Sequence, residues 1–409
     1  VTTSPLGRRQ LGRGEFLALL SLTMALTALS IDLMLPAFGE IRAAFDIDPD
    51  SSQTAAIVTV YMIGLAVAQV LYGPIADRFG RKPALYVGFV LYALGALGAA
   101  LAPSFGLLLA SRLLWGMGAA GPRVISLAIV RDTHDGDQMA RVMSFIMAVF
   151  ILVPVMAPSI GAVIIAVAPW RGVFWFCVFY VAVIALWMIR MPETLDPSHR
   201  IEFRFDGIAK AARIVVSQRR AMAYTLAMTI MFGAFVSYLA TSELIVDDVF
   251  GLEDRFPLIF GGFAALMGIA ALTNAKVVGR FGSRRIVLWV TRAFVTGAAS
   301  LVAIAMVTDG RPPFWLFAGG LAVVLTSYAL LIPNLNTLAM EPMSRVAGTA
   351  SALIGTTRTG GAAVLGSFID RAYNGTITPL AIALLISGVL GYFTVRWAAA
   401  EREEQHQHA

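Results

Sequence analysis

Gly73-Pro74-Ile75-Ala76-Asp77-Arg78-Phe79-Gly80-Arg81-Lys82 joins two long apolar runs, and its reading decides the fold. One acid and three cations stand on a connection too short to be a domain and too charged to lie in lipid. Two membrane helices joined this way form a hairpin, and its cations are expected to face the cytoplasm. The rest of the chain is tested against that hairpin.

The 409 residues are 58% hydrophobic and 14% charged, with mean hydropathy +0.78. Soluble domains carry nearer about 25% charge. Apolar runs longer than ~18 residues recur throughout and imply membrane spans. The net charge of +6 gathers at the ends of these runs, which argues against nucleic-acid binding. Cys177 is the single cysteine and lies in an apolar run, so neither an intrachain disulfide nor a structural metal site is expected. His134, His199, His406 and His408 all fall in connections or the tail, leaving no intramembrane histidine for proton relay. Arg8-Arg9-Gln10-Leu11 imitates a twin-arginine export signal, but the run Phe16 to Phe38 exceeds a signal core and lacks a small-residue cleavage site. It is read as a retained first span.

Twelve spans are predicted at 16–38, 53–76, 83–102, 105–130, 138–166, 171–191, 221–246, 256–276, 285–308, 313–338, 346–370 and 376–397. The charged stretch 192–220 divides them, and its Asp206–Ser217 portion has the pattern of a surface amphipathic helix. The expected organisation is a tail at 1–15, a six-helix bundle at 16–191, a linker at 192–220, a second bundle at 221–397 and a tail at 398–409. Arginine crowds the connections on one side of the predicted membrane and is sparse on the other. Both termini are therefore expected in the cytoplasm, as an even span count also requires. Arg78-Phe79-Gly80 recurs as Arg280-Phe281-Gly282, and Arg141-Val142 as Arg345-Val346, both displaced by about 200 positions. The fold class is an all-α membrane protein of two parallel six-helix pseudo-repeats, an arrangement that places a substrate site near the midplane.

Charges inside spans are costly and are functional candidates by default. Asp32 lies about 24 Å along the first span, and Arg112 about 11 Å from the outer end of the fourth, so the two share a depth. Such a pair either locks helices 1 and 4 or switches protonation as distance and hydration change; proton coupling is the reading carried forward. Arg123 is expected to reach the cytoplasmic interface. Arg358 is too deep for that and requires a partner or a wet cavity. Glu243 and Asp370, near span ends, read as interfacial acids. Pro154, Pro158 and Gly161 mark the fifth span as bent and closely packed, a hinge between states. In the opening loop Gly73, Asp77, Arg78, Gly80, Arg81 and Lys82 form a gate, with Asp77 expected to cap a neighbouring helix and Arg81 to reach Asp132.

The spelling G-x-x-x-D-R-x-G-R-K resembles the loop between helices 2 and 3 of the major facilitator superfamily. Over residues 14–397 the chain is similar to twelve-span drug:proton antiporters, more narrowly to the bicyclomycin- and chloramphenicol-resistance branch. The pattern Leu108-x-x-x-Arg112-x-x-Trp115-Gly116-Met117-Gly118 resembles one that family members use in proton transfer, Asp32 matches their coupling acid, and the helix 5 signature points to export. Departures exist. Trp115 stands where the family commonly has glutamine, Val153, Ala157 and Ala162 replace glycines, and Gly279 in the second loop replaces the acid Asp77.

Tyr61, Trp115, Phe232, Phe235, Tyr238, Asn334 and Asn336, with Arg358, are the expected cavity walls, suited to lipophilic drug-sized molecules. The leading function is proton-driven efflux of such compounds; the alternative is a proton-coupled carrier of one metabolite, such as a sugar or amino acid. No nucleophile motif, metal cluster, phosphate loop or ion filter points to an enzyme or a channel. Expected partners are the small-molecule substrate and membrane lipid, with the proton as coupling ion and no other cofactor. The setting is a functional monomer in the bacterial cytoplasmic membrane.

Overall fold

Pro, Gly and short polar connections divide the apolar runs into long rods. The computed structural model describes residues 11–48, 52–200, 213 and 215–407. Its long helices are α1 (Arg13–Asp32), α2 (Ala56–Phe79), α3 (Arg81–Ala100), α4 (Phe105–Thr133), α5 (Gly136–Val167) and α6 (Arg171–Met188), followed by α7 (Arg219–Asp248), α8 (Phe256–Phe281), α9 (Ser283–Val307), α10 (Phe314–Met340), α11 (Ala347–Asp370) and α12 (Thr378–Gln407). No strand occurs among the described residues. Arg8, Arg9 and most of the predicted Asp206–Ser217 helix lie outside them.

Among the described residues eleven helices are long and apolar enough to cross a bilayer. The remaining expected span, α11, has 24 residues, about 36 Å, so its length is sufficient. Thr356-Thr357-Arg358-Thr359 makes it less apolar than the others. Phe179, Leu258, Met306, Val307 and Phe368 point their apolar side chains out of the protein, as lipid-facing residues do.

The hairpins follow their sequences. Gly80 (φ +106°) and Gly282 (φ +76°) occupy backbone regions open mainly to glycine, and each ends one copy of the Arg-Phe-Gly repeat by turning one helix into the next. The first six helices pack on one another chiefly as α4 with α2 and α3, α3 with α6, and α1 with α5. The last six pair chiefly as α9 with α10, α7 with α11 and α12, and α9 with α12. Between the two groups the main contacts are α2 with α11 and α5 with α8.

The first expected span is not continuous to residue 38: α1 stops at Asp32, and a 3-10 turn at Leu35–Ala37 leads to a short helix at Phe38–Ala44. Pro36 has no N–H for an intrahelical bond and biases Leu35 away from α geometry, so the rod is interrupted here. The fifth carries Pro154 and Pro158 inside one helix, Gly136–Val167. Gly161 of α5 lies against the interruption in α1, where an added Cβ would overlap the Leu33 carbonyl.

The same device fixes α2 against α4. A Cβ on Gly64 would strike the Leu113 carbonyl, and one on Gly116 the Tyr61 carbonyl. Neither backbone can withdraw without unpacking the pair. Gly73, by contrast, has open space where a Cβ would go. Gly116→Val is therefore expected to destabilise the protein by about 2 kcal/mol or more. Gly73→Ala should be neutral or slightly stabilising, and thermal unfolding of the detergent-purified protein distinguishes the two.

Candidate functional site

The end where α1 starts and α12 stops is called the terminal face, and the opposite end the far face. Asp32 is the last residue of α1 and is buried by protein, 4% exposed. Among the described residues it has neither a hydrogen bond nor an ion pair, and the Tyr238 phenol of α7 lies within its electrostatic range. Arg112 is fully enclosed. Its Nε donates to the Ile57 carbonyl (3.2 Å), and its guanidinium lies over the rings of Tyr61 (4.4 Å) and Trp115 (4.6 Å). The expected Asp32–Arg112 pair is therefore not formed. Equal depth does not set the direction in which two side chains point, and Arg112 points into the aromatic packing of α2, α4 and α6.

Tyr61 and Trp115 are consequently not cavity walls. Tyr61 donates its hydroxyl to the Thr27 carbonyl (2.9 Å). Trp115 stands edge-on to Tyr61, Tyr92 and Phe174. Both are buried in the first six helices.

The charged loop forms a network at the terminal face. Arg81 donates through Nε to Asp132 Oδ2 (2.7 Å) and through Nη2 to Oδ1 (3.3 Å), the expected contact, and its Nη1 meets Asp77. The helix cap differs from expectation. Glu193, not Asp77, accepts from the backbone N–H groups of Arg81 (2.9 Å) and Lys82 (3.0 Å), filling the positive end of α3. Lys82 Nζ donates to the carbonyls of Ile189 and Met191, and Arg78 lies over Phe79. Every one of these partners belongs to the first six helices or to the segment just after them.

Polar contacts between the two groups gather at the far face. Arg42, beyond the α1 interruption, meets Glu243 (3.4 Å) and Asp247 (3.6 Å) of α7. Asp370 of α11 accepts from Ser237 of α7 (2.5 Å) and Thr59 of α2 (3.5 Å). Glu243 and Asp370 are both buried, so neither is the solvent-facing interfacial acid expected from its place near a span end.

The midplane holds the remaining candidates. Phe235 stacks on Tyr328 of α10 (4.5 Å) and beside Phe232, while Tyr238 stacks on Phe260 of α8 (6.1 Å). Asn334 is buried and donates to Asn274 (2.8 Å), tying α10 to α8, whereas Asn336 is exposed. Arg358 stands 5.3 Å from the Phe232 ring and is half-buried. Arg123, expected at the membrane surface, is half-buried and lies within electrostatic range of Arg358, Tyr61 and Tyr328. It was absent from the expected cavity.

A sequence profile described as Major Facilitator Superfamily matches residues 16–367. A bicyclomycin resistance protein homolog of Haemophilus influenzae is 29% identical over 92% of this chain and 95% of its own. The multidrug resistance protein MdtL of Shigella dysenteriae serotype 1 is 27% identical over 90% and 93%. Among solved structures a D-xylose-proton symporter superposes with TM-score 0.76 at 13% identity, covering 94% of this chain and 97% of that one. The last similarity shows the fold alone.

The far-face pair gives a direct test. Arg42→Gln leaves buried Glu243 without its cation and should cost about 3 kcal/mol or more, while Glu243→Gln should cost less because Arg42 keeps Asp247. The double variant should cost less than the sum of the two, measured as a double-mutant cycle on thermal unfolding.

Proposed function

Since the chain belongs to the major facilitator superfamily, we propose that it is a proton-coupled antiporter that exports lipophilic drug-sized compounds by alternating access, with Asp32 as its proton site. The observation that carries this reading is Asp32 itself: a carboxylate enclosed by protein, without a counter-ion, at an interruption in the first helix. An unpaired acid in such a place is stable neutral and costly charged, so its protonation is tied to whether water reaches it. The resistance-protein relatives support a drug-like cargo.

In this reading the terminal face is cytoplasmic, because Arg78, Arg81, Lys82, Arg280, Arg284 and Arg285 gather there. Residues 16–191 and 221–397 move as two bodies. The polar bridges at Arg42–Glu243 and Thr59–Asp370 hold the far side closed, so the state described opens toward the cytoplasm. A proton leaves Asp32 to the inside in this state, the substrate enters, and rocking breaks the far-side bridges to expose the site outside. The Arg81–Asp132–Glu193 network keeps the first body rigid, and the α5 segment at Pro154–Gly161, touching α1 and α8, lies where the bodies pivot. The working unit is a monomer in the bacterial cytoplasmic membrane, with the proton as coupling ion.

The test is dye transport by the full chain in proteoliposomes under an imposed pH gradient, using rhodamine 6G and a panel of lipophilic compounds. Asp32→Asn should bind cargo yet lose all gradient-driven accumulation, and Asp32→Glu should keep part of it. Full gradient-driven transport by Asp32→Asn removes Asp32 from the coupling role.

A further inference from the structure

Arg123 and Arg358 have no part in the proton cycle above, yet they lie at a similar depth inside the protein. Arg123 lies ten residues before the end of α4 and Arg358 eleven after the start of α11, so both sit about 15–17 Å from the terminal face. One comes from the first six helices and one from the last six. Each lies within electrostatic range of the other and of Tyr328. Among the described residues neither has an ion pair or a hydrogen bond, and the Nε of Arg358 is buried without a protein acceptor. Both are half-buried rather than sealed in packing.

Two like charges within electrostatic range in a medium poorer than water repel, and each also loses hydration. A merely structural arginine avoids this by pairing with a carboxylate or a carbonyl, as Arg81 and Arg112 do here. What these two have beside them is aromatic: Phe232 under Arg358, and Tyr328 near both. Tyr328 in turn stacks on Phe235. The layer therefore offers two converging cationic donors at one end and flat apolar faces at the other.

We propose that Arg123 and Arg358 form the head-group site of the transport cavity and that the cargo is an amphiphilic organic anion, an aromatic body bearing a carboxylate. The carboxylate accepts from both guanidiniums and relieves their repulsion, while the ring system stacks against Phe232, Phe235 and Tyr328. Because the cations come from different helix groups, the anion also draws the groups together at the cytoplasmic half of the cavity. This assignment rests on the export reading for its direction of travel, but the binding site stands apart from the proton step at Asp32.

The test uses two dyes that share a xanthene ring and differ in charge, anionic fluorescein and cationic rhodamine 6G. Binding to the detergent-purified full chain is followed by fluorescence polarisation. The wild-type chain should bind fluorescein, and Arg123→Gln and Arg358→Gln should each weaken it about tenfold or more, the worth of one charge-assisted hydrogen-bonded contact. Arg358→Lys, which keeps the charge and guards against a folding defect, should retain most of the affinity. Rhodamine 6G binding should not weaken in any of the three. Equal fluorescein affinity in wild type and both glutamine variants overturns the proposal, as does failure of the wild-type chain to bind fluorescein. Gradient-driven rhodamine 6G export without fluorescein binding would leave the antiport reading intact and remove the anion site alone.

Discussion

A charge held inside a membrane protein has to be solvated by the protein itself, and the ways this chain does so sort its charges by role. Arg112 is held by two aromatic faces, each worth about 2 kcal/mol when dry, and by one carbonyl bond at Nε of about 1.5–3 kcal/mol, while its two terminal nitrogens have no protein acceptor. Those terms are of the same order as the several kcal/mol lost on leaving water. Such an arginine is a fixture of the scaffold. Arg42 and Glu243 solvate each other only while the two helix groups touch at the far face, whereas Asp370 is held by Ser237 of its own group and by the longer bond from Thr59 across the interface. Asp32, Arg123 and Arg358 have no counter-charge at all. They are the groups whose stability must come from water, a proton or a ligand.

The scaffold that holds these charges is stiff in one place and compliant in another. Between α2 and α4, glycines bring backbone against backbone, so no side-chain rotation can relax the contact. At α5–α8 Gly261 also meets a backbone carbonyl, that of Val155, but at α2–α11 the close approaches differ. Gly355 of α11 faces the amide tip of Gln69, and Gly360 faces the methyl of Ala66. A side-chain tip can move where a carbonyl cannot. Rotation of one group past the other therefore meets less resistance at α2–α11 than any motion within α2–α4. That contrast is what a rocking transporter requires.

Much of this was legible in the sequence, and the boundary has a physical cause. Apolar length located the helices, the Arg-Phe-Gly repeat located two matching hairpins, and the cation directly after the Gly80 turn found its acid at Asp132. These signals are local or depend only on helix rise. The expected Asp32–Arg112 pair failed because depth follows from residue number whereas azimuth follows from packing. Glu193 was missed as the α3 cap because it lies more than a hundred residues away in a connection without periodicity. Arg123 carried a signal that went unread. It stands eleven residues after Arg112, which at about 100° per residue returns to within ~20° of the same stripe of α4. If Arg112 faces the interior, Arg123 does too.

The departure at Trp115 bears on the part Arg112 could take in the proposed proton cycle. The family resemblance has an amide at that position, and an amide oxygen accepts hydrogen bonds from a guanidinium. Tryptophan has no acceptor, only a π face and one donor. Here the two terminal nitrogens of Arg112 have no protein acceptor, and the Trp115 Nε1 is likewise unmatched. The ring holds Arg112 by its face and leaves no polar path leading from it. An arginine held in this way can set the shape and the field of the first helix group without exchanging hydrogen bonds during the cycle. Under the proposed proton coupling, the titrating work would then fall to Asp32, placed by the interruption before Pro36 within electrostatic range of Tyr238 on α7.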